Sequence, residues 1–257
     1  MSQPDQPTDV KRRRLLGGVG AAAAATAVAP GVFLQSLGNA APRETAVTDD
    51  VRYGMLIDTT KCVDGCNNEC VSACDKENGL DLMVRPEGAS EALWDMQRPR
   101  WIRKIKLKNN LTRRVTSLPM MCQHCEHPPC VDVCPTGASF QRADGLALVD
   151  RHTCIGCRYC MMACPYGARS FIHENVQYSS TAVPRGKGCV ESCTLCVHRI
   201  DQGGTTTACQ DACPHDAIVF GDLKDPNSAV SKAMASKPSV EIRGDLNLNT
   251  AVRYTDV

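Results

Sequence analysis

Seventeen cysteines stand in this chain of 257 residues, and all but one fall into four groups of four. The first group, CVDGCNNECVSAC, holds Cys62, Cys66, Cys70 and Cys74. The second, CQHCEHPPCVDVCP, holds Cys122, Cys125, Cys130 and Cys134. The third, CIGCRYCMMACP, holds Cys154, Cys157, Cys160 and Cys164, and the fourth, which begins CTLC, holds Cys193, Cys196, Cys209 and Cys213. Cys189 is left over. In the third group the gaps are two, two and three residues, with Pro165 behind the last thiol. Such a loop curls round one corner of an iron–sulfur cube and offers it successive thiolates and inward N–H groups. A tetrahedral zinc needs only four ligands and usually takes them from two separated Cys-x2-Cys pairs, so four repeated groups favour iron.

In a run of this spacing the first three thiolates hold one cluster and the fourth reaches another. Groups two and three are adjacent and complementary. Cys122, Cys125 and Cys130 are expected with Cys164, and Cys154, Cys157 and Cys160 with Cys134. Groups one and four must then pair across the chain: Cys62, Cys66 and Cys70 with Cys213, and Cys193, Cys196 and Cys209 with Cys74. Four [4Fe–4S] clusters are the expected cofactors. The group-one spacing of three, three and three departs from the usual run, and Asp75 replaces the proline. A [3Fe–4S] centre or an altered ligand set is therefore the alternative at the first or last site.

The elements that must position these thiols repeat as well. LIDTTKC parallels LVDRHTC, and CPTGASF, CPYGARSF and CPHDAIVF share one plan of cysteine, proline, turn and apolar strand. Each Cys-x3-Cys step fits one turn of a short helix that proline ends. The run GASFQRADGLALVD, with Ala143-Asp144-Gly145 at its turn, reads as a β-hairpin. The expected fold is α+β, a double ferredoxin-like architecture of short antiparallel hairpins and short helices. Its central dicluster module, residues 115–175, is expected inside a split outer module made of 50–114 and 176–222, with 223–257 as a C-terminal tail.

Residues 11–16 read KRRRLL, and the uncharged Ala/Gly-rich stretch from Leu15 to Ala41 follows. Residues 1–40 read as a twin-arginine export signal with Arg12-Arg13 as its pair, cleaved after Ala40; a retained membrane anchor is the alternative. An exported cysteine-rich chain would first suggest disulfides. The twin-arginine route carries folded proteins, which suits a cofactor inserted in the reducing cytosol, so the expected location is the periplasm. The formal charge is +1, and loss of residues 1–40, with four basic and two acidic residues, takes it to −1. There is no basic block beyond the leader, so nothing points to nucleic acid.

The four-group order, with the long Cys196-x12-Cys209 gap, resembles the four-cluster ferredoxin-like subunits of membrane redox complexes, over about residues 50–230. Within that family CQHCEHPPCVDVCPTGASF, DRHTCIGCRYCMMACPYGARSF and ESCTLCVHRID, with the leader, are most similar to the DsrO-type exported subunit of the DsrMKJOP complex of dissimilatory sulfur metabolism. The resemblance implies a non-catalytic electron relay peripheral to the inner membrane. Its implied partners are an NrfD-type integral membrane quinone-interacting subunit, through which membrane contact is made, and a multihaem cytochrome c. The alternative is the electron-transfer subunit of a molybdopterin, nitrite, polysulfide or tetrathionate reductase. The nested ligand pairing also matches the family's.

Arg158, Arg169, Arg185 and Lys187 are candidates to offset cluster charge. His124, His127, His152, His173, His198 and His215 read as loop or cover residues, since a full cysteine set leaves no vacancy. Met161 and Met162 are expected to pack over a cluster, and the basic stretch 98–114 reads as an exposed strand or hairpin. No nucleotide loop or catalytic triad is present.

Overall fold

The computed structural model describes residues 46–176 and 185–257; the expected leader lies outside them. The apolar run YGMLID forms β1 (Tyr53–Asp58). α1 (Glu69–Glu77) carries the last two cysteines of group one, and α2 (Glu91–Gln97) follows, capped by Ser90 Oγ, which accepts from the Leu93 N–H. β2 (Arg103–Lys108) and β3 (Val115–Met120) pair antiparallel, Arg103 opposite Met120. After α3 (Pro129–Asp132) comes the expected hairpin, β4 (Ser139–Gln141) with β5 (Ala147–Val149), Phe140 opposite Leu148. α4 (Tyr159–Ala163) leads to β6 (Ser170–Phe171), which pairs antiparallel with β7 (Val190–Glu191). α5 (Val197–Asp201), α6 (Ala208–Asp211), β8 (Ile218–Asp222), α7 (Ala229–Ser236), β9 (Ser239–Val240) and β10 (Val252–Thr255) complete the chain.

The fold is α+β, built from hairpins and short helices as the cysteine plan implies. Its one larger sheet runs β8-β1-β10-β9. β1 is antiparallel to β8, with Met55 opposite Phe220, and parallel to β10, with Met55 opposite Val252. All described residues fall in one compact unit. α3 packs on α4, and α1 on α6, so the Cys-x3-Cys helices meet in pairs. The thiols are themselves core: Cys70, Cys74, Cys122, Cys125, Cys193 and Cys209 lie in one buried cluster with Met55, Trp101, Leu118 and Tyr254.

Two sequence expectations need correcting. Residues 223–257 are not a tail. They supply α7, β9 and β10, and Val252 and Tyr254 are fully buried. The strand VRYT is only four residues long and includes a charge, so alternation alone does not announce it. The boundary drawn at 114/115 also falls inside the β2–β3 hairpin, whose turn is closed by Asn109 N–H donating to the Arg114 carbonyl at 2.9 Å.

β1 can lie between β8 and β10 because position 54 has no side chain. A Cβ on Gly54 would strike the Ala251 carbonyl oxygen and Leu223. Gly54→Ala is expected to destabilise the fold by about 1–3 kcal/mol, read as a fall in Tm. A second clasp joins the two distant halves. Glu77 on α1 accepts from Arg199 Nε at 2.6 Å and Nη2 at 2.8 Å, and meets His198 Nε2 at 2.8 Å. Arg199, helped by His198, outweighs burial and draws the Glu77 carboxyl down to about 2. The stability this gives is present above the ordinary carboxylate range and is lost as pH falls from about 4.5 towards 2. Glu77→Gln should lower the denaturant midpoint at pH 7 and remove that part of the acid dependence, as followed by tryptophan fluorescence.

Candidate iron–sulfur centres

Each cysteine loop turns through the left-handed region, at Asn67 and Asn68, His124, Gly156 and Arg158, and Leu195 and Cys196. For the residues other than glycine this conformation is costly, and the surrounding structure must hold it. In the third loop Gly156 is required: its φ is +72, and a side chain there would strike the Gly188 carbonyl. Beyond three of the loops a short helix ends before a Cys-Pro step, and the turn behind the proline aims a backbone N–H at sulfur. Ser139, Ala168 and Ala217 N–H donate to Cys134, Cys164 and Cys213 Sγ at 3.3, 3.4 and 3.3 Å. Group one has no proline, so α1 continues past Cys74 to Glu77. The side-chain amide of buried Asn78 takes over, donating to Cys74 Sγ at 3.5 Å.

The structure brings the sixteen thiols together in four quartets. Cys62, Cys66, Cys70 and Cys213 ring one hollow with Lys61 and His215. Cys134, Cys154, Cys157 and Cys160 ring another, beneath Val149 and Val190. Around Cys125 stand Cys122, Cys130 and Cys164; burial and those three thiols push the Cys125 thiol up to about 12. Around Cys74 stand Cys193, Cys209 and Cys196, and burial followed by their proximity raises it well above the ordinary thiol value. Cys70 rises to about 11 by burial and by Cys62, Cys213 and Cys66. Protein surroundings alone would thus keep these thiols protonated; a bound metal is what makes such groups thiolate.

The quartets also follow one another. Cys209 feels Cys70, Cys193 feels Cys122, and Arg169 faces both Cys122 and Cys160. The row therefore runs from the Cys62 site to the Cys74 site, the Cys122 site and the Cys154 site. The two inner quartets are buried apart from half-buried Cys164, whereas Cys157 at one end is exposed and Cys62, Cys66 and Cys213 at the other are half-buried.

Among the described residues no three His, Cys, Asp or Glu side chains converge as a single metal ion requires. The thiols of the two end quartets ring hollows instead, as a multi-atom cluster requires. The donor set is all sulfur with N–H donors aimed at it, and it fits iron–sulfur cubes.

Of the four candidate cations, Arg169 is buried against the thiols, and Arg158 lines the Cys154 hollow. Its Nη2 donates to Cys130 Sγ at 3.1 Å. Arg185 instead forms a buried pair with Glu191, Nη2 to Oε1 at 2.7 Å. Arg158 lies over the Phe171 ring, 3.8 Å from its centroid, and Lys187 is exposed. The sequence reading missed Lys104, on the supposedly solvated basic strand, whose Nζ donates to Cys66 Sγ at 3.3 Å. Charge alternation on β2 could have flagged it only if the strand's position over group one were known. His124 is fully buried, accepting from the Ala147 N–H at 3.1 Å and so fastening the second loop to β5. Burial pushes the Cys122 thiol up, but His124 and Arg169 outweigh it and bring it to about 6. Cys189 sits beside Cys154, its Sγ donating to the Arg151 carbonyl at 3.2 Å, and so belongs near the third group's loop rather than the fourth. Met161 packs against Cys130 and Cys160, while Met162 is exposed.

A family model for the 4Fe-4S dicluster domain matches residues 114–223. The chain is 38% identical to the Hdr-like menaquinol oxidoreductase iron-sulfur subunit 1 of Archaeoglobus fulgidus, over 95% of this chain and 97% of that protein. The chain belongs to this family of ferredoxin-like iron–sulfur subunits. Other members are protein NrfC of Escherichia coli, 38% identical over 89% of this chain and 87% of its own, and a tetrathionate reductase subunit of Salmonella typhimurium, 38% identical over 70% and 62%.

The cross-chain sets give a direct test. Cys74→Ser should disturb the cluster of Cys193, Cys196 and Cys209 and leave that of its helix neighbour Cys70 intact. Iron should fall by about a quarter, with one EPR signal lost and three kept. Loss of the Cys70 signal in its place would overturn the cross-chain pairing.

Proposed function

We propose that the chain is the electron-transfer subunit of a membrane-associated oxidoreductase complex, and that its sixteen grouped cysteines hold four [4Fe–4S] clusters in the nested sets described above. Such clusters, when bound, supply one-electron oxidation and reduction without chemistry on a substrate. The protein's part is to hold them in order, exclude water and bias each with N–H donors and charge. The observation that carries this reading is the row itself: buried inner quartets, and end quartets whose thiols reach the surface, where partners can exchange electrons. One end meets Lys61, Lys104 and His215. The other carries exposed Ile155, Tyr159 and Met162 around Cys157.

No helix among the described residues is long and apolar enough to cross a membrane. A partner of the NrfD type is proposed to hold the subunit there, at the periplasmic face, with residues 1–40 as the export leader. Relatives that serve a menaquinol oxidoreductase and a tetrathionate reductase favour a quinol-linked or terminal-reductase complex. The motifs of groups two and three keep a DsrO-type role beside a multihaem cytochrome as the second reading.

Protein purified anaerobically with its complex should be brown, with about sixteen iron and sixteen sulfide per chain, and its redox-titrated EPR should resolve four centres. A co-purifying cytochrome c selects the DsrO-type role, and a molybdenum subunit the terminal reductase. Zinc without acid-labile sulfide, or a colourless protein held by S–S bonds, would sink the proposal.

A further inference from the structure

Arg169 lies five residues beyond Cys164 and is 4% exposed. Its Nη2 donates to Cys130 Sγ, while Nε and Nη1 have no acceptor of their own. The groups that face it are the thiols of Cys130, Cys122 and Cys160, which belong to two different quartets. Three other arginines have carboxylate partners: Arg185 takes Glu191, Arg142 takes Asp144 and Asp201, and Arg199 takes Glu77 and Asp211. Burying a guanidinium with no anion is strongly unfavourable. The anion that repays it here must be sulfur, from both sides.

We propose that Arg169 is a shared counter-cation seated between the Cys122 and Cys154 sites, raising the reduction potential of both. This rests on the cluster-bearing reading above. Reduction adds negative charge, and a fixed cation favours the more negative form, so each potential moves up. One cation facing two quartets biases both in the same sense.

The test uses the full chain, assembled anaerobically, with Arg169→Gln and Arg169→Lys variants followed by redox-titrated EPR and iron counts. The Cys130→Ser and Cys160→Ser variants identify the two signals concerned. In Arg169→Gln those two midpoints should move to more negative potentials and the other two should stay. Arg169→Lys, which keeps the charge, should remain near the native values. No movement, movement of one or all four, or an equal movement in Arg169→Lys would overturn the proposal. If Arg169→Gln fails to assemble the two clusters, the iron count of Arg169→Lys decides. Full iron supports a requirement for charge, and lost iron shows a role of shape and overturns it. A native protein without four clusters would fail the functional reading first, and the iron count of the native chain separates the two cases.

Discussion

Two cysteines four residues apart on one turn of helix lie about 6 Å apart along its axis, and that separation organises the whole molecule. Cys70 and Cys74 on α1 face different quartets, and the Cys130–Cys134, Cys160–Cys164 and Cys209–Cys213 steps do the same. No quartet can close from one group alone. Each helix turn is a shared wall between neighbouring sites, and the helices must meet in pairs, α1 with α6 and α3 with α4. The nested order of the chain follows from this local geometry, as does the row of sites. The low aromatic content matters less than it would elsewhere, because the thiols take the place of large side chains in the core.

The same arrangement dictates the polar interior. Thiols gathered in fours at such burial repel one another once ionised, and hydrogen-bond donors aimed at sulfur offset that repulsion. Backbone N–H groups are the commonest donors: Ser139, Ala168 and Ala217 behind the Cys-Pro steps, and Leu195 and Ala208 in the fourth group. Where the proline is missing, the side chain of Asn78 does this work, and where a terminal quartet approaches the surface, Lys104 does it with a full charge. The gradient from buried inner quartets to half-buried or exposed end quartets is what a relay needs. Desolvation protects the interior steps, and exposure at the ends lets a partner approach.

The short-range pattern was legible. Cysteine spacing, the Cys-Pro steps and the Ala143-Asp144-Gly145 turn are local signals, and the helices and the β4–β5 hairpin lie where those signals put them. What was not legible depends on distant segments. β10 is four residues of ordinary composition, and its place beside β1 is set by a glycine almost two hundred positions earlier. Lys104 looked like one charge in a basic run, because nothing in that run says that Cys66 lies beneath it. Asn78 could have been suspected from the missing proline at Asp75, since some donor had to replace the lost turn.

The last strand also ties the inner sites to the outer ones. Gln123, inside the second cysteine loop, donates from Nε2 to the Tyr254 hydroxyl at 3.1 Å, and that hydroxyl donates to the Pro119 carbonyl at 3.1 Å. Ala251 N–H reaches the Gln123 carbonyl at 2.9 Å, and Glu126 N–H reaches the Leu248 carbonyl at 3.0 Å. The loop that begins the central module is therefore held by the segment that ends the chain, while β10 itself lies against β1 before the first group. The contacts that close the molecule join residues far apart in sequence, so the loop-closure cost is met before they form. The second cysteine loop is therefore held in its final form by residues 248–254, and its site is complete only once that segment has packed against it.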